Sequence, residues 1–155
     1  MPEKAGEGAA RRRSVRAPRF RRPPAELVQR LARRVVRGGK ASFRSQAEFR
    51  SALLELIRRE EPLATIGGPR LRRLLVDVPG VRMTVHYTER PNGAIPVVCP
   101  VCGSPLRPIH NRTLSGESIV LGQRCPRCDY WTHRQRRVPV RYAFTQAGID
   151  GRSGR

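Results

Sequence analysis

The chain has 155 residues and a mass of 17.5 kDa, which allows one or two small domains. Only 38% of the residues are hydrophobic, and no apolar run approaches the length of a membrane span or of a secretory signal, so we expect neither. The 32 basic residues against 12 acidic ones give a formal net charge of +20. A codon bias can account for arginine in place of lysine among the basic residues, but it does not account for the shortage of acidic residues. The charge predicts a polyanionic partner, namely DNA, RNA, a ribosomal surface or, less often, an anionic membrane.

The first 23 residues are predicted to form a disordered arginine-rich arm. Arg11, Arg12 and Arg13 open a basic stretch that is broken by prolines and carries few apolar side chains. Such a segment buries too little surface to offset the entropy of ordering. The arm is interpreted as following a phosphate backbone, with an inert solvated tail as the alternative. Residues 146–155 are predicted to be a second disordered tail.

Two helices are predicted next. The first begins near Pro24, a residue favoured in the first turn, and ends at Gly38-Gly39. The second begins with the capping box Ser45-Gln46-Ala47-Glu48 and ends before Pro62. Apolar residues recur at helical spacing in both, which predicts a shared core. In the second helix they are Phe49, Leu53, Leu56 and Ile57.

A third, shorter helix is predicted after Gly67-Gly68. Its leucines are expected to face the core, and Arg70, Arg72 and Arg73 to face the other way. Beyond it, apolar residues alternate with polar ones from Val81 to Thr88, which indicates a strand with one buried face. An Asn-Gly turn then favours a hairpin, with residues 95–98 as the return strand.

Three helices followed by a hairpin resemble a winged helix over residues 24–96. In that family the third helix enters the major groove and the wing contacts the backbone. The resemblance implies that Arg70, Arg72 and Arg73 contact DNA and that Arg82 and Arg90 flank the wing. A small helical domain that merely solvates these arginines is the alternative.

Two C-x2-C pairs, Cys99/Cys102 and Cys125/Cys128, carry the most specific signal in the chain. Two residues between thiolates let one tight turn direct both sulfurs at one ion, and two such knuckles complete a tetrahedron. Four thiolates favour one structural zinc ion, although spacing alone also permits iron. A pair of redox dithiols is the weaker alternative, because no βαβ frame surrounds them.

The segment 97–145 resembles a zinc ribbon. Its strands are predicted at 106–110, 118–124 and 138–144. Tyr130 and Trp131 come one residue after the last cysteine and either pack beneath the ribbon or stack on bases. The second role would involve a neighbouring set of arginines, namely Arg127, Arg134, Arg136 and Arg137.

The pattern does not indicate an enzyme. The transcript-cleavage factors are similar in their two knuckles, but they need an adjacent Asp-Glu pair on the intervening hairpin, where this chain has only Glu117. All four thiols are committed to metal, the C-terminal half has no paired carboxylates for acid–base chemistry, and no glycine-rich phosphate loop follows a strand. We therefore expect no catalytic residues.

The sequence thus predicts an α+β chain with a basic arm, a winged-helix-like domain (24–96), a zinc ribbon (97–145) and a short tail. The domain order and paired knuckles loosely resemble archaeal transcription factor E. We expect a non-enzymatic, cytoplasmic DNA-binding transcription regulator associated with the nucleoid. The alternatives are a ribosome-associated RNA-binding assembly factor and a protein-docking adaptor of a larger polymerase or nuclease.

Overall fold

The computed structural model describes residues 19–38, 42–91, 93–133 and 135–148. The predictions for Arg11, Arg12, Arg13 and Arg134 lie outside these residues. Three helices and two small antiparallel sheets form the described part, which confirms a mixed helix-and-sheet fold. The elements are α1 (Ala25–Arg37), β1 (Ser42–Phe43), α2 (Gln46–Glu60), α3 (Gly68–Leu75), β2 (Val81–Arg90), β3 (Arg107–Arg112), β4 (Ser118–Arg124), β5 (Trp131–Thr132) and β6 (Arg136–Gln146). None of the helices described is long and apolar enough to cross a membrane.

The helices begin and end close to where local signals predict. Pro24 precedes α1, and Gly38 ends it. The Ser45 hydroxyl accepts a hydrogen bond from the Glu48 amide at 3.2 Å, which caps α2. The reciprocal half of the capping box differs, because the Glu48 carboxylate accepts from the Arg44 amide at 2.9 Å. Local capping therefore fixes α2 much as the sequence predicts.

The three helices pack around one apolar core, as the helical spacing predicts. The fully buried side chains at its centre are Val28, Phe49, Leu53, Ile57, Leu71 and Leu75. Phe144 joins them from β6 and stacks on Phe49 with ring centroids 4.5 Å apart. The sheet β1-β6-β2 is thus part of the helical core and is held to it by an aromatic contact.

The return strand of the hairpin is β6, so the prediction of residues 95–98 is wrong. β2 pairs with β6 along its whole length, from Val81 opposite Gln146 to Arg90 opposite Arg136. Segment 95–98 contains a proline and makes only an isolated bridge from Val98 to Pro105. A strand of 11 residues matches the 10-residue β2 and supplies Phe144 to the core, whereas a four-residue segment does neither.

In the sequence, the cysteine module is therefore an insertion in the connection between β2 and β6, the two strands of this hairpin. Its own sheet has the order β3-β4-β5, in which β3 and β4 confirm the first two predicted ribbon strands. Assigning 138–144 to the ribbon is wrong, because that segment belongs to β6. The third ribbon strand is the two-residue β5, which pairs with the end of β4. The chain leaves the first sheet after β2, forms the ribbon, and re-enters the first sheet.

Candidate metal centre

Each cysteine pair lies in a tight turn that is closed by backbone hydrogen bonds. In the first knuckle, the Cys99 amide donates to the Ser104 carbonyl at 2.8 Å, and the Gly103 amide donates to the Cys99 carbonyl at 2.9 Å. Gly103 has a φ of +78°, which a residue with a side chain rarely adopts. In the second knuckle, the Cys125 amide donates to the Tyr130 carbonyl at 2.8 Å. Each turn therefore places its two cysteine sulfur atoms on the same side of the turn.

The four sulfur atoms form a single cluster, all within 4.8 Å of one another. Sγ of Cys99 lies 3.5 Å from Sγ of Cys128, and Sγ of Cys102 lies 3.4 Å from Sγ of Cys125. These distances exclude disulfides, whose S–S bond is about 2.05 Å. A tetrahedron with Zn–S bonds of about 2.3 Å has S–S edges of about 3.8 Å. The predicted ligands therefore meet at the spacing that one ion requires.

The surroundings suit a closed structural site. Cys99, Cys102 and Cys125 are buried and Cys128 is half-buried. Val101 and Tyr130 are buried beside them. The Arg127 amide points at Sγ of Cys125 from 3.4 Å, a contact that stabilises a thiolate. The four cysteines can hold a metal ion, and an all-thiolate donor set favours zinc.

The thiols influence one another's protonation when no metal is bound. The hydrogen bond with Cys128 lowers the pKa of Cys99 to about 5. The same contact raises the pKa of Cys128, and burial raises the pKa of Cys125. Cys125 and Cys128 therefore keep their protons at neutral pH until a cation displaces them.

Two arginines attach the cluster to the helical core. Arg72 of α3 donates from Nε to the Val101 carbonyl at 3.0 Å and from Nη1 to Gln46 at 2.7 Å. Its guanidinium also lies 4.4 Å from the Tyr142 ring centroid. From the second knuckle, Arg127 donates from Nε to Asp77 at 2.9 Å, just beyond α3. Both knuckles are thus tied to the region of α3.

The arginines predicted to contact DNA differ in how accessible their side chains are. The prediction that Arg72 faces away from packing is wrong, because its guanidinium is used inside the protein. Arg73 is exposed, and its side chain passes the first knuckle at Gly103. Arg70 is half-buried, with an Nη1 atom that has no hydrogen-bond partner in the described part of the chain. Arg82 is exposed on β2. Among these four arginines, Arg73 and Arg82 are the exposed ones.

The two aromatic residues that follow the last cysteine, Tyr130 and Trp131, have different environments. Tyr130 is buried, and its hydroxyl donates to the Arg137 carbonyl at 2.9 Å, so it packs as one of the two predicted roles requires. Trp131 remains 41% exposed. The Arg137 guanidinium lies between two rings, 4.3 Å from the centroid of Trp131 and 4.4 Å from that of Tyr87.

Strand register places two pairs of arginines directly opposite each other. Arg136 lies opposite Arg90 at the end of the β2–β6 ladder, and Arg107 lies opposite Arg124 in the ribbon. Like charges directly opposite each other in a sheet repel. The two pairs depend on strand register, so composition and spacing could not reveal them.

No protein-family model, no curated protein and no solved structure matches this chain. The resemblance to archaeal transcription factor E gains no support from these comparisons and continues to depend on element order and on the paired knuckles alone.

Proposed function

We propose that the protein is a non-enzymatic nucleic-acid-binding protein whose ribbon is held together by one structural zinc ion. The observation that carries the proposal is the topology of a strongly basic chain. Three helices are followed by the hairpin β2–β6, the element order of a winged helix, and the ribbon is inserted at the loop end of the hairpin, between Arg90 and Arg136. A net charge of +20 favours a partner made of phosphates.

The metal's role follows from its donor set. Four thiolates fill a tetrahedral shell, so no position is left for a water or a substrate, and the site is structural. Metal analysis of the purified chain should return about one zinc per molecule and no iron. A red protein that contains iron would show that the site is a rubredoxin-like iron centre and not a zinc site.

The finer proposal is a transcription regulator that binds duplex DNA. Arg73 on α3 and Arg82 and Arg90 on β2 are exposed arginines on elements that a winged helix uses. Arg70 is half-buried, and its Nη1 atom, which has no hydrogen-bond partner among the described residues, is itself buried, so a phosphate contact by Arg70 requires its side chain to move outward. Phosphate contacts by these residues would position the helix, and any base contact would add sequence preference.

An RNA-binding function is the second candidate, and one observation favours it. The first knuckle lies against α3, where Arg72 bonds to Val101 and Arg73 lines a shallow cleft with Gly103. A helix covered in this way has less surface to place in a major groove. Exposed arginines on the ribbon would then carry more of the binding.

Salt-dependent binding separates these candidates. The full chain is titrated with a genomic duplex, a scrambled duplex and a structured RNA at several salt concentrations. The double variant Arg70→Ala/Arg73→Ala on α3 is compared with the control Arg22→Ala/Arg59→Ala. The control removes the same amount of charge near the C-terminal end of α2. Each lost phosphate contact should reduce the salt slope by about one.

The regulator proposal requires the α3 pair to weaken duplex binding more than the control pair does, and to reduce sequence preference. If the two variants weaken duplex binding equally and the chain binds the structured RNA more tightly than DNA, the RNA-binding function replaces the regulator proposal. Absence of binding to all three nucleic acids at low salt would overturn the proposed function itself.

A further inference from the structure

Trp131 is the single tryptophan of the chain and is placed as an open stacking surface. Its exposed fraction is 41%, although its ring is fixed by neighbours. Arg137 lies over one face of the ring at 4.3 Å from the centroid, and the His133 ring meets the indole edge-on with centroids 4.8 Å apart. A large aromatic ring that is held in place yet accessible is suited to stacking on a planar ligand.

A cleft of about 480 Å³ opens beside this ring. Its lining combines an apolar wall with polar side chains, namely Glu89, Leu121, Trp131, His133, Gln135 and Arg137. Carboxylate, amide, imidazole and guanidinium groups offer both hydrogen-bond donors and acceptors. That mixture around an aromatic face matches a nucleobase, which has a π-face and a polar edge.

A row of side chains continues from the cleft across the ribbon sheet. Arg107 of β3 lies directly opposite Arg124 of β4, which in turn lies directly opposite Trp131 of β5. Directly opposed residues share one face of a sheet, and all three are exposed. We call them the arginine–tryptophan row. Two neighbouring arginines repel each other unless an anion lies between or above them.

We propose that the arginine–tryptophan row binds single-stranded nucleic acid, with one unpaired base stacked on Trp131 and adjacent phosphates bound by Arg124 and Arg107. Bases within a duplex stack on each other and cannot reach the ring, so the site selects unpaired strands. This inference rests on the proposed nucleic-acid function, but it uses a surface distinct from α3.

The single tryptophan provides a direct readout. The zinc-loaded full chain is titrated with single-stranded dT12, with rU12 and with an abasic 12-mer that carries the phosphates without bases. Stacking should quench the fluorescence of Trp131 with dT12 and rU12, and the abasic strand should bind without that quenching. The DNA and RNA arms show which of the two backbones the row prefers.

Substitutions then assign the contacts. Trp131→Leu should lower the affinity for dT12 on the order of tenfold, the loss expected for removing one stacked base. Trp131→Phe keeps an aromatic ring and should retain most of the affinity. Phe20→Leu removes another exposed aromatic ring, 68% open and outside the ribbon, and should change nothing. Arg107→Ala/Arg124→Ala should weaken dT12, rU12 and the abasic strand alike. Zinc content confirms that each variant is folded.

Two outcomes would overturn the inference. One is equal quenching by the abasic strand, and the other is unchanged dT12 affinity in a zinc-loaded Trp131→Leu variant. If duplex binding persists in either case, the proposed function stands without the single-strand site. If no nucleic acid binds at all, the proposed function fails together with the inference.

Discussion

At the scale of single residues, Gly122 shows how closely the ribbon strands approach each other. A Cβ atom built on Gly122 would lie 2.1 Å from the carbonyl oxygen of Thr132, which is backbone and cannot rotate away. Gly116, in the turn of the same hairpin, has a φ of +87° but open space around its Cα. The first glycine is required by packing and the second by backbone conformation.

Gly122→Ala should therefore displace β5 and destabilise the ribbon by about 3 kcal/mol, the upper end for overpacking. Gly116→Ala should cost about 1 kcal/mol, confined to the turn. Denaturant unfolding of the zinc-loaded variants measures both costs, and amide exchange at Trp131 and Thr132 reports whether β5 moves. A Gly122→Ala protein as stable as Gly116→Ala would contradict this account of the packing.

The thiols give a second prediction at the residue scale, the pH dependence of zinc binding. The pKa values of Cys125 and Cys128 are raised, by burial and by the contact with Cys99 respectively, so both are protonated at neutral pH in the metal-free chain. Zinc must displace these protons, and its affinity should fall as the pH falls. Conversely, Cys99, with its pKa lowered to about 5, releases no proton at pH 7.

Calorimetry at pH 7 in two buffers with different ionisation enthalpies counts the released protons. We expect the binding heat to depend on the buffer, with at least the protons of Cys125 and Cys128 released. Identical heats in both buffers would mean that the thiols are already ionised.

At the scale of elements, α3 carries neighbouring arginines with opposite roles. Arg72 makes two side-chain hydrogen bonds and lies over the Tyr142 ring, whereas Arg73 is exposed and its Nε donates a long hydrogen bond of 3.4 Å to the Pro69 carbonyl. Arg72→Met should lower the free energy of unfolding by about 2 kcal/mol, since hydrogen bonds from a charged group are lost in a part-buried site.

The matched control, Arg73→Met, should change stability by less than about 0.5 kcal/mol, as exposed substitutions do. Urea denaturation of the zinc-loaded chain compares the two. Equal destabilisation would show that Arg72 does not anchor the first knuckle to α3.

An element can be predicted from the sequence when the interactions that determine it lie within a few residues along the chain. Proline, glycine and the Ser45 cap act within a few residues, so α1, α2 and α3 follow from the sequence, as do the cysteine ligands from their spacing. The partner of β2 does not, because the alternating apolar residues of 138–144 suit either sheet. The burial of Phe144 against Phe49 decides between them. The role of Arg72 was missed for the same reason, since Val101 is distant in the sequence.

At the scale of the whole molecule, the ribbon is nested within the helical fold. The apolar clusters around the helices and around the cysteines share Met83 of β2 and Tyr142 of β6. β6 is the element that both modules use. One of its ends leads directly out of the ribbon, and the other packs on the helices. Loss of the metal should therefore propagate along β6 rather than stop at a domain boundary.

Removing zinc with a chelator tests how far that propagation runs. Near the ribbon, Tyr130 and Thr132 hold Arg137 through its backbone carbonyl and amide, and these contacts depend on the second knuckle. At the far end, Phe144 stacks on Phe49 in a core without metal ligands. Structural zinc contributes on the order of 10–16 kcal/mol in finger peptides, more than a ribbon of this size can lose and remain folded. We expect amide protection to disappear in β3, β4, β5 and the first residues of β6, while it persists around Phe144. Circular dichroism of the helices should fall only slightly. Simultaneous loss of protection at Phe144 and in the ribbon would show a single cooperative unit, and a protected β4 without zinc would show that the metal is dispensable.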